Sequence, residues 1–224
     1  MILNIIIISF FSWRIIMKNF LLAMLVISLT NHYAHAKDSY IHDSFSSGSL
    51  SGWQVFDNTS DKANISAENS TLRIIAQGSS QNFAFAGVKK VITPTTDLSL
   101  SVVMQGDFSI LSGKNSRAYV AISNEDESES LQVYIGRDGN DVWTSQVCTV
   151  GGCTAPTGKY INMSKARVTI IKMDSMLKIS VNGEPIYSES TSIQKIGKII
   201  LGGGGANNKQ PFSVYFNEFS LHSI

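Results

Sequence analysis

Leu177, Ile179 and Val181 alternate with Lys178 and Ser180 in the stretch Met176-Leu-Lys-Ile-Ser-Val-Asn-Gly-Glu-Pro-Ile-Tyr187. A period of two sends successive side chains to opposite faces of an extended chain, so this stretch predicts a strand with one buried and one wet face. Asn182-Gly183 supplies the two residues that tolerate positive φ in a type I′ turn, and Ile186-Tyr187 begins the returning strand. A hairpin of this kind has one apolar face and needs a second layer to cover it.

The same alternation recurs along the chain. Leu72 to Ala76 reads as a short strand, and Leu98, Leu100, Val102 and Met104 share a face opposite Ser99 and Ser101. Ala118, Val120 and Ile122 point inward and leave Tyr119 on the other side. Leu131, Val133 and Ile135 repeat the pattern with Gln132 and Tyr134 opposite. After the Asp138-Gly139 turn signal, Val142 to Val147 returns, with Trp143 on the face of Val147. Phe83 to Val88 and Lys90 to Thr93 form an apolar run that Pro94 is expected to break. Ile196 to Leu201 is a further strand, and Gly202 to Gly205 is expected to close it with a bend between sheets. Phe212, Val214 and Phe216 share one face, whereas Phe219 and Leu221 fall out of phase, which predicts a bulge at Asn217-Glu218. Asn124 to Glu129 is a charge run between two strands and reads as a solvated loop. Phe45, Leu50 and Trp53 are apolar anchors in a Ser- and Gly-rich segment, with Trp53 expected in the core. No apolar stripe recurs at helical spacing and no internal repeat is evident. The fold class is therefore all-β, a sandwich or barrel of short antiparallel strands.

Two segments bear on location. Met17 to Thr30 has a short basic start and an apolar run, and Ala34-His-Ala36 completes a secretory cleavage pattern, so residues 1–36 read as a signal peptide. Residues 1–16 add a second apolar run before Lys18; either Met17 is the true start, or both runs form an uncleaved anchor. Residues 37–224 then form a single domain, secreted or periplasmic. Cys148 and Cys153 flank Thr-Val-Gly-Gly, and in an oxidising compartment this spacing predicts a disulfide across a tight turn. The 18 basic and 17 acidic residues nearly balance, so no field gathers nucleic acid or an anionic membrane.

Three segments then resemble a known family. Asp43-Ser-Phe-Ser-Ser-Gly-Ser-Leu-Ser-Gly-Trp53, Arg167-Val-Thr-Ile-Ile-Lys172 with Leu177-Lys-Ile-Ser-Val-Asn-Gly183, and Ile199-Ile-Leu-Gly-Gly203 with Phe212-Ser-Val-Tyr-Phe-Asn-Glu-Phe-Ser-Leu221 are similar to the concanavalin-A-like lectin/glucanase superfamily, and to its laminin-G-like jelly rolls in particular. The resemblance implies a two-sheet antiparallel β-sandwich with neighbouring N- and C-terminal strands, and a role in binding or cleaving carbohydrate. The front segment also resembles keto-disaccharide hydrolase-like jelly rolls, without a matched catalytic residue. Family-16 glycoside hydrolases in this superfamily carry a Glu-x-Asp-x-x-Glu strand, because retaining hydrolysis needs two carboxyls about 5 Å apart. Glu125-Asp-Glu-Ser-Glu129 departs from that spacing.

The reading that follows is a carbohydrate-binding domain without an evident catalytic motif, whose partner is a glycan or a glycosylated surface. A polysaccharide hydrolase and an adhesion or matrix protein are the alternatives. Tyr119, Gln132, Tyr134 and Trp143 are the candidate ligand-binding residues, because sugar recognition pairs an aromatic plane with amide groups. Asp138, Asn140 and Asp141 offer hard oxygens for Ca2+, although a hairpin turn explains the same residues. His42 and His222 lack a neighbouring Ser and Asp in sequence.

Overall fold

The computed structural model describes residues 40–59, 62–76, 84–107, 117–137, 143–154, 165–205 and 212–224. Residues 1–36, read from the sequence as a signal peptide, and Asp138, Asn140 and Asp141 lie outside them. Residues 39–224 form one compact unit. Its strands are β1 (Tyr40–Asp43), β2 (Gln54–Asp57), β3 (Asn64–Glu68), β4 (Thr71–Ala76), β5 (Ala84–Thr95), β6 (Leu98–Asp107), β7 (Arg117–Ser123) and β8 (Ser130–Arg137). They continue as β9 (Trp143–Thr149), β10 (Gly152–Cys153), β11 (Lys165–Met173), β12 (Met176–Val181), β13 (Glu184–Ser190), β14 (Ile196–Gly205) and β15 (Phe212–Ser223).

These strands make a two-layer sandwich. One sheet has eight strands in the order β13-β12-β11-β6-β15-β4-β3, with β1 also paired to β15. The other has seven, in the order β10-β9-β8-β7-β14-β5-β2, and every pairing is antiparallel. The alternating apolar sets meet between the layers: Leu98, Leu100, Val102 and Met104 from one sheet face Val120, Ile122, Val133 and Leu201 from the other, all buried. The first and last strands are neighbours, as the resemblance implies. Asn182, at φ 52°, and Gly183, at φ 83°, make the expected two-residue turn between β12 and β13.

The C-terminal phase shift is real. The register of β15 against β6 slips between Asn217 and Ser220, and Glu218 sits at φ 51°. Asn217 Nδ2 pins the bulge by donating to Ser70 O at 2.9 Å and Thr71 Oγ1 at 2.7 Å. The extra residue returns Phe219 and Leu221 to the core beside Phe212, Val214 and Phe216. Two expectations need correction. Pro94 does not break the run: Ala84 to Thr95 is one strand, and its pairing with β14 is irregular between Ile196 and Lys198, where a residue without an N–H is tolerated. Gly202 to Gly205 is not a bend but strand, with Gly202 to Gly204 paired to both β5 and β7.

Two polar ties hold the layers' ends. Asp43 accepts from the Phe45 amide at 2.9 Å and from Trp53 Nε1 at 2.7 Å, and Trp53 meets Phe219 edge-on at 5.3 Å. Trp53 is thus a core residue, as expected. Lys172 occupies an inward position of β11, continuing the series Ala166, Val168 and Ile170, and is wholly buried. Its Nζ donates to the carbonyl oxygens of Thr96, Asp174 and Gln194, at 2.5, 2.6 and 3.3 Å. One ammonium therefore joins the β5–β6 turn, the β11–β12 turn and the segment before β14. The disulfide is also formed: Cys148 and Cys153 pair across β9 and β10 with Cα atoms 4.0 Å apart.

Replacing Lys172 by Met keeps the apolar stem and removes the donor that these three carbonyls share. We expect a loss of about 2–4 kcal/mol in unfolding free energy, measured by urea denaturation; an unchanged midpoint would mean that water satisfies these carbonyls.

Candidate functional site

Strand alternation in the seven-stranded sheet leaves a second set of residues on its outer face. One row across four strands reads Gly87, Gly202, Tyr119, Tyr134, each paired with the next. The row on one side reads Phe85, Gly204, Arg117, Gly136, and the row on the other reads Lys89, Ile200, Ala121, Gln132, with Cys148 beyond Gln132. Sequence reasoning named Tyr119, Gln132 and Tyr134, and the register brings these three together. Trp143 opens β9 opposite Arg137, in the alternation series of Val147.

Glycine is required where the rings lie against the backbone. A Cβ on Gly202 would come within 2.5 Å of the Tyr119 ring, and one on Gly87 within 2.8 Å of Phe56 Cζ. Tyr119 consequently lies down onto the sheet and is only 4% exposed. Phe85 meets it edge-on at 6.0 Å, and Tyr134 packs at 5.7 Å with the rings tilted by 58°. Burial pushes the Tyr119 hydroxyl far above the usual phenol range, reinforced by Tyr134 and by the charge of Glu127.

Tyr134 is only partly buried. The Arg117 guanidinium lies 4.7 Å above its ring centroid, a cation–π arrangement. Its hydroxyl donates to Gln132 Oε1, so ring and amide are held as one unit. Burial raises this hydroxyl too, and Arg117 opposes the rise. A supported aromatic plane flanked by an amide and a guanidinium is the outcome.

The charged loop 124–129 bounds this face. It is solvated, as expected, but tied down at its tip. Glu127 Oε1 accepts from Lys198 Nζ at 2.8 Å and from Lys89 Nζ at 3.3 Å, so the loop from β7 reaches over β14 to β5. Asp126 accepts from the Ser128 amide and hydroxyl at 3.0 and 2.7 Å, and Asn124 Nδ2 donates to Ser128 Oγ at 2.9 Å, which stiffens the loop from within. The hydrogen bond from Lys198 holds the Glu127 carboxyl below its ordinary range, against partial desolvation and with help from Lys89. Sequence reasoning missed Phe56, Phe85, Arg117, Lys89, Lys198 and Glu127 as members of this surface. Their partners lie tens of residues away, and no local spacing announces them. Among the described residues, no group of three or more His, Cys, Asp and Glu side chains is placed to hold a metal ion. His42 and His222 flank Tyr40 on the eight-stranded sheet, at ring distances of 6.2 and 4.4 Å.

No family model matches the sequence, and no curated protein matches it. Solved structures do. A Bacillus licheniformis β-glucanase superposes with a TM-score of 0.60 at 14% identity, over 84% of this chain and 99% of that one. The fold is the concanavalin-A-like jelly roll. Crh5 transglycosylase shares it with a TM-score of 0.59 and 13% identity over 83% of this chain and 84% of its own. A sialidase does so with a TM-score of 0.60 and 13% identity over 83% of this chain, which spans 18% of the sialidase. At such identities the likeness is one of architecture and carries no site residue over to this chain.

Two outcomes follow from this geometry. Gly202→Ala should displace the Tyr119 ring and destabilise the fold by about 1–3 kcal/mol, seen as a lower urea midpoint with altered near-ultraviolet tyrosine dichroism. The Glu127 clasp has a lowered folded-state pKa, so its contribution is present above the unfolded carboxyl value and is lost as pH falls through the folded one. With Glu127 39% exposed the contribution is small, about 1 kcal/mol or less. The stability gap between the wild type and Glu127→Gln should close on acidification, measured by urea midpoints from neutral to acid pH; a gap that widened would contradict it.

Proposed function

We propose that this chain is an exported, non-catalytic carbohydrate-binding domain whose binding surface is the outer face of the seven-stranded sheet. The observation that carries the reading is the Tyr134 unit: a partly exposed ring backed by buried Tyr119, capped by Arg117 and joined through its hydroxyl to Gln132. A pyranose packs its C–H groups against the exposed edge of such a ring and turns hydroxyls to the amide and guanidinium around it. Proteins that share the fold, a β-glucanase, a transglycosylase and a sialidase, support a carbohydrate ligand by analogy.

Binding is favoured over hydrolysis by the state of Glu127. Retaining cleavage needs a carboxylic acid and a carboxylate about 5 Å apart. Among the described residues, the carboxylate tied onto this face is Glu127, and two ammonium groups hold it ionised, which suits neither a proton donor nor a free nucleophile. Export is supported by the Met17 to Ala36 pattern and by the Cys148–Cys153 disulfide, which persists in an oxidising compartment.

A glycan array probed with the purified protein, followed by titration of the best ligand, tests this. Binding should weaken about 3- to 10-fold in Tyr134→Ala, the loss of one ring contact, without release of reducing ends from the bound glycan. Absence of binding to any glycan would overturn the carbohydrate reading, and accumulating reducing ends would overturn the non-catalytic one.

A further inference from the structure

Lys89 and Lys198 stand on neighbouring strands of the outer face, and their ammonium groups converge on a single atom, Glu127 Oε1. The lysines are the fixed partners in this contact. Lys89 lies on β5, paired to both β14 and β2, and Lys198 on β14, paired to both β5 and β7. Their side chains are 29% and 17% exposed. Glu127 is the adaptable partner: it comes from a loop tip, holds a φ of 62° and is 39% exposed. Two ammonium groups aimed at one oxygen constitute an anion site, and a loop carboxylate fills it. The trio still carries one positive charge in excess.

The position of this trio connects it to the aromatic unit. Lys89 is two residues along β5 from Gly87, and the row of Lys89, Ile200, Ala121 and Gln132 borders the row of Tyr119 and Tyr134. The charge of Glu127 is felt at the Tyr119 hydroxyl.

We infer that Lys89 and Lys198 form a subsite for an anionic substituent of the bound glycan, a carboxylate or a sulfate, and that Glu127 is its internal competitor, displaced when that substituent enters. The inference rests on reading the outer face as a glycan site. Exchange of one anion for another breaks and remakes ammonium–oxygen contacts without stranding a charge, and partly exposed ion pairs contribute little net stability, so Glu127 is readily displaced. A neutral sugar offers the lysines no such replacement. The hydrogen bonds of Asp126 and Asn124 to Ser128 keep the loop's shape after Glu127 lets go.

The test is calorimetric titration with glycans matched in backbone and differing in charge: dextran against carboxymethyl-dextran and dextran sulfate, and methyl-esterified against free polygalacturonate. Polyglutamate controls for charge without sugar. The wild type should prefer the acidic member of a pair. Glu127→Gln should raise affinity for that member by roughly 2- to 5-fold and leave the neutral one unchanged. Lys89→Gln and Lys198→Gln should abolish the preference, and the carboxymethyl and sulfate arms identify the anion. Equal affinity for acidic and neutral members would overturn the subsite while leaving glycan binding intact. An acidic ligand bound no better by Glu127→Gln would overturn the competitor role, and polyglutamate binding as tightly as the acidic glycans would overturn the sugar-linked site. No binding by the wild type or Glu127→Gln overturns the inference, and the glycan array then judges the broader reading separately. Should a lysine variant fail to fold, the wild type and Glu127→Gln still decide the matter.

Discussion

The strand β14 carries a demand from each side that only glycine meets. On the inner face, a Cβ at Gly203 would come within 2.6 Å of Phe212 and 2.7 Å of Val214, both from the opposing sheet. On the outer face, a Cβ at Gly202 would drive into the Tyr119 ring. The two sheets can approach, and the outer ring can lie flat, because consecutive residues of one strand have no side chains. Glycine in a strand interior is entropically unfavourable, so its presence in a run needs such a packing gain. The aromatic row of the outer face and the close contact of the two layers therefore share one cause.

How much of this was legible in the sequence depended on whether a signal was local. The hairpin at Asn182-Gly183, the disulfide turn and the phase shift at Asn217-Glu218 are written within a few neighbouring residues, and each stands in the fold where the alternation placed it. The glycine run looked like a breaker because its meaning lies in Tyr119 and Phe212, residues that pair or pack with it from elsewhere in the chain. Lys172 drew no reading of its own from the sequence. It sits on the apolar phase of β11, and a period-two reading alone assigns it to the core without naming the three carbonyls that make this tolerable. For the site, alternation placed Tyr119, Gln132 and Tyr134 on one face. It could not tell that Tyr119 is buried, because burial there comes from Phe85 on another strand and from a glycine beneath.

The low identities to proteins of the same fold follow from the same physics. A jelly roll asks its sequence for alternating apolar sets, turn residues at the strand ends and a bulge where the phase must change, and many sequences satisfy that. The outer face is free of these demands once the sheet is packed. Its residues can diverge to suit a ligand while the sandwich persists, so architecture shared at 14% identity with a β-glucanase leaves the chemistry of the surface to be argued from the surface.

What distinguishes this outer face is how its polar groups are restrained. Tyr134 cannot turn away without losing Gln132 and its contact with Tyr119, and the lysines rise from strands paired on both sides. Rigid support of this kind lowers the ordering cost of binding, since rotamer freedom is already lost in the free protein. Glu127 is the exception, a carboxylate on a loop tip laid across a rigid floor. A fixed cationic floor with an adaptable anionic cover favours exchange over permanent closure, because the strands carrying the lysines need not move when the cover lifts. On the proposed reading, recognition on this face is set by the sheet, and its selectivity by what can replace one loop carboxylate.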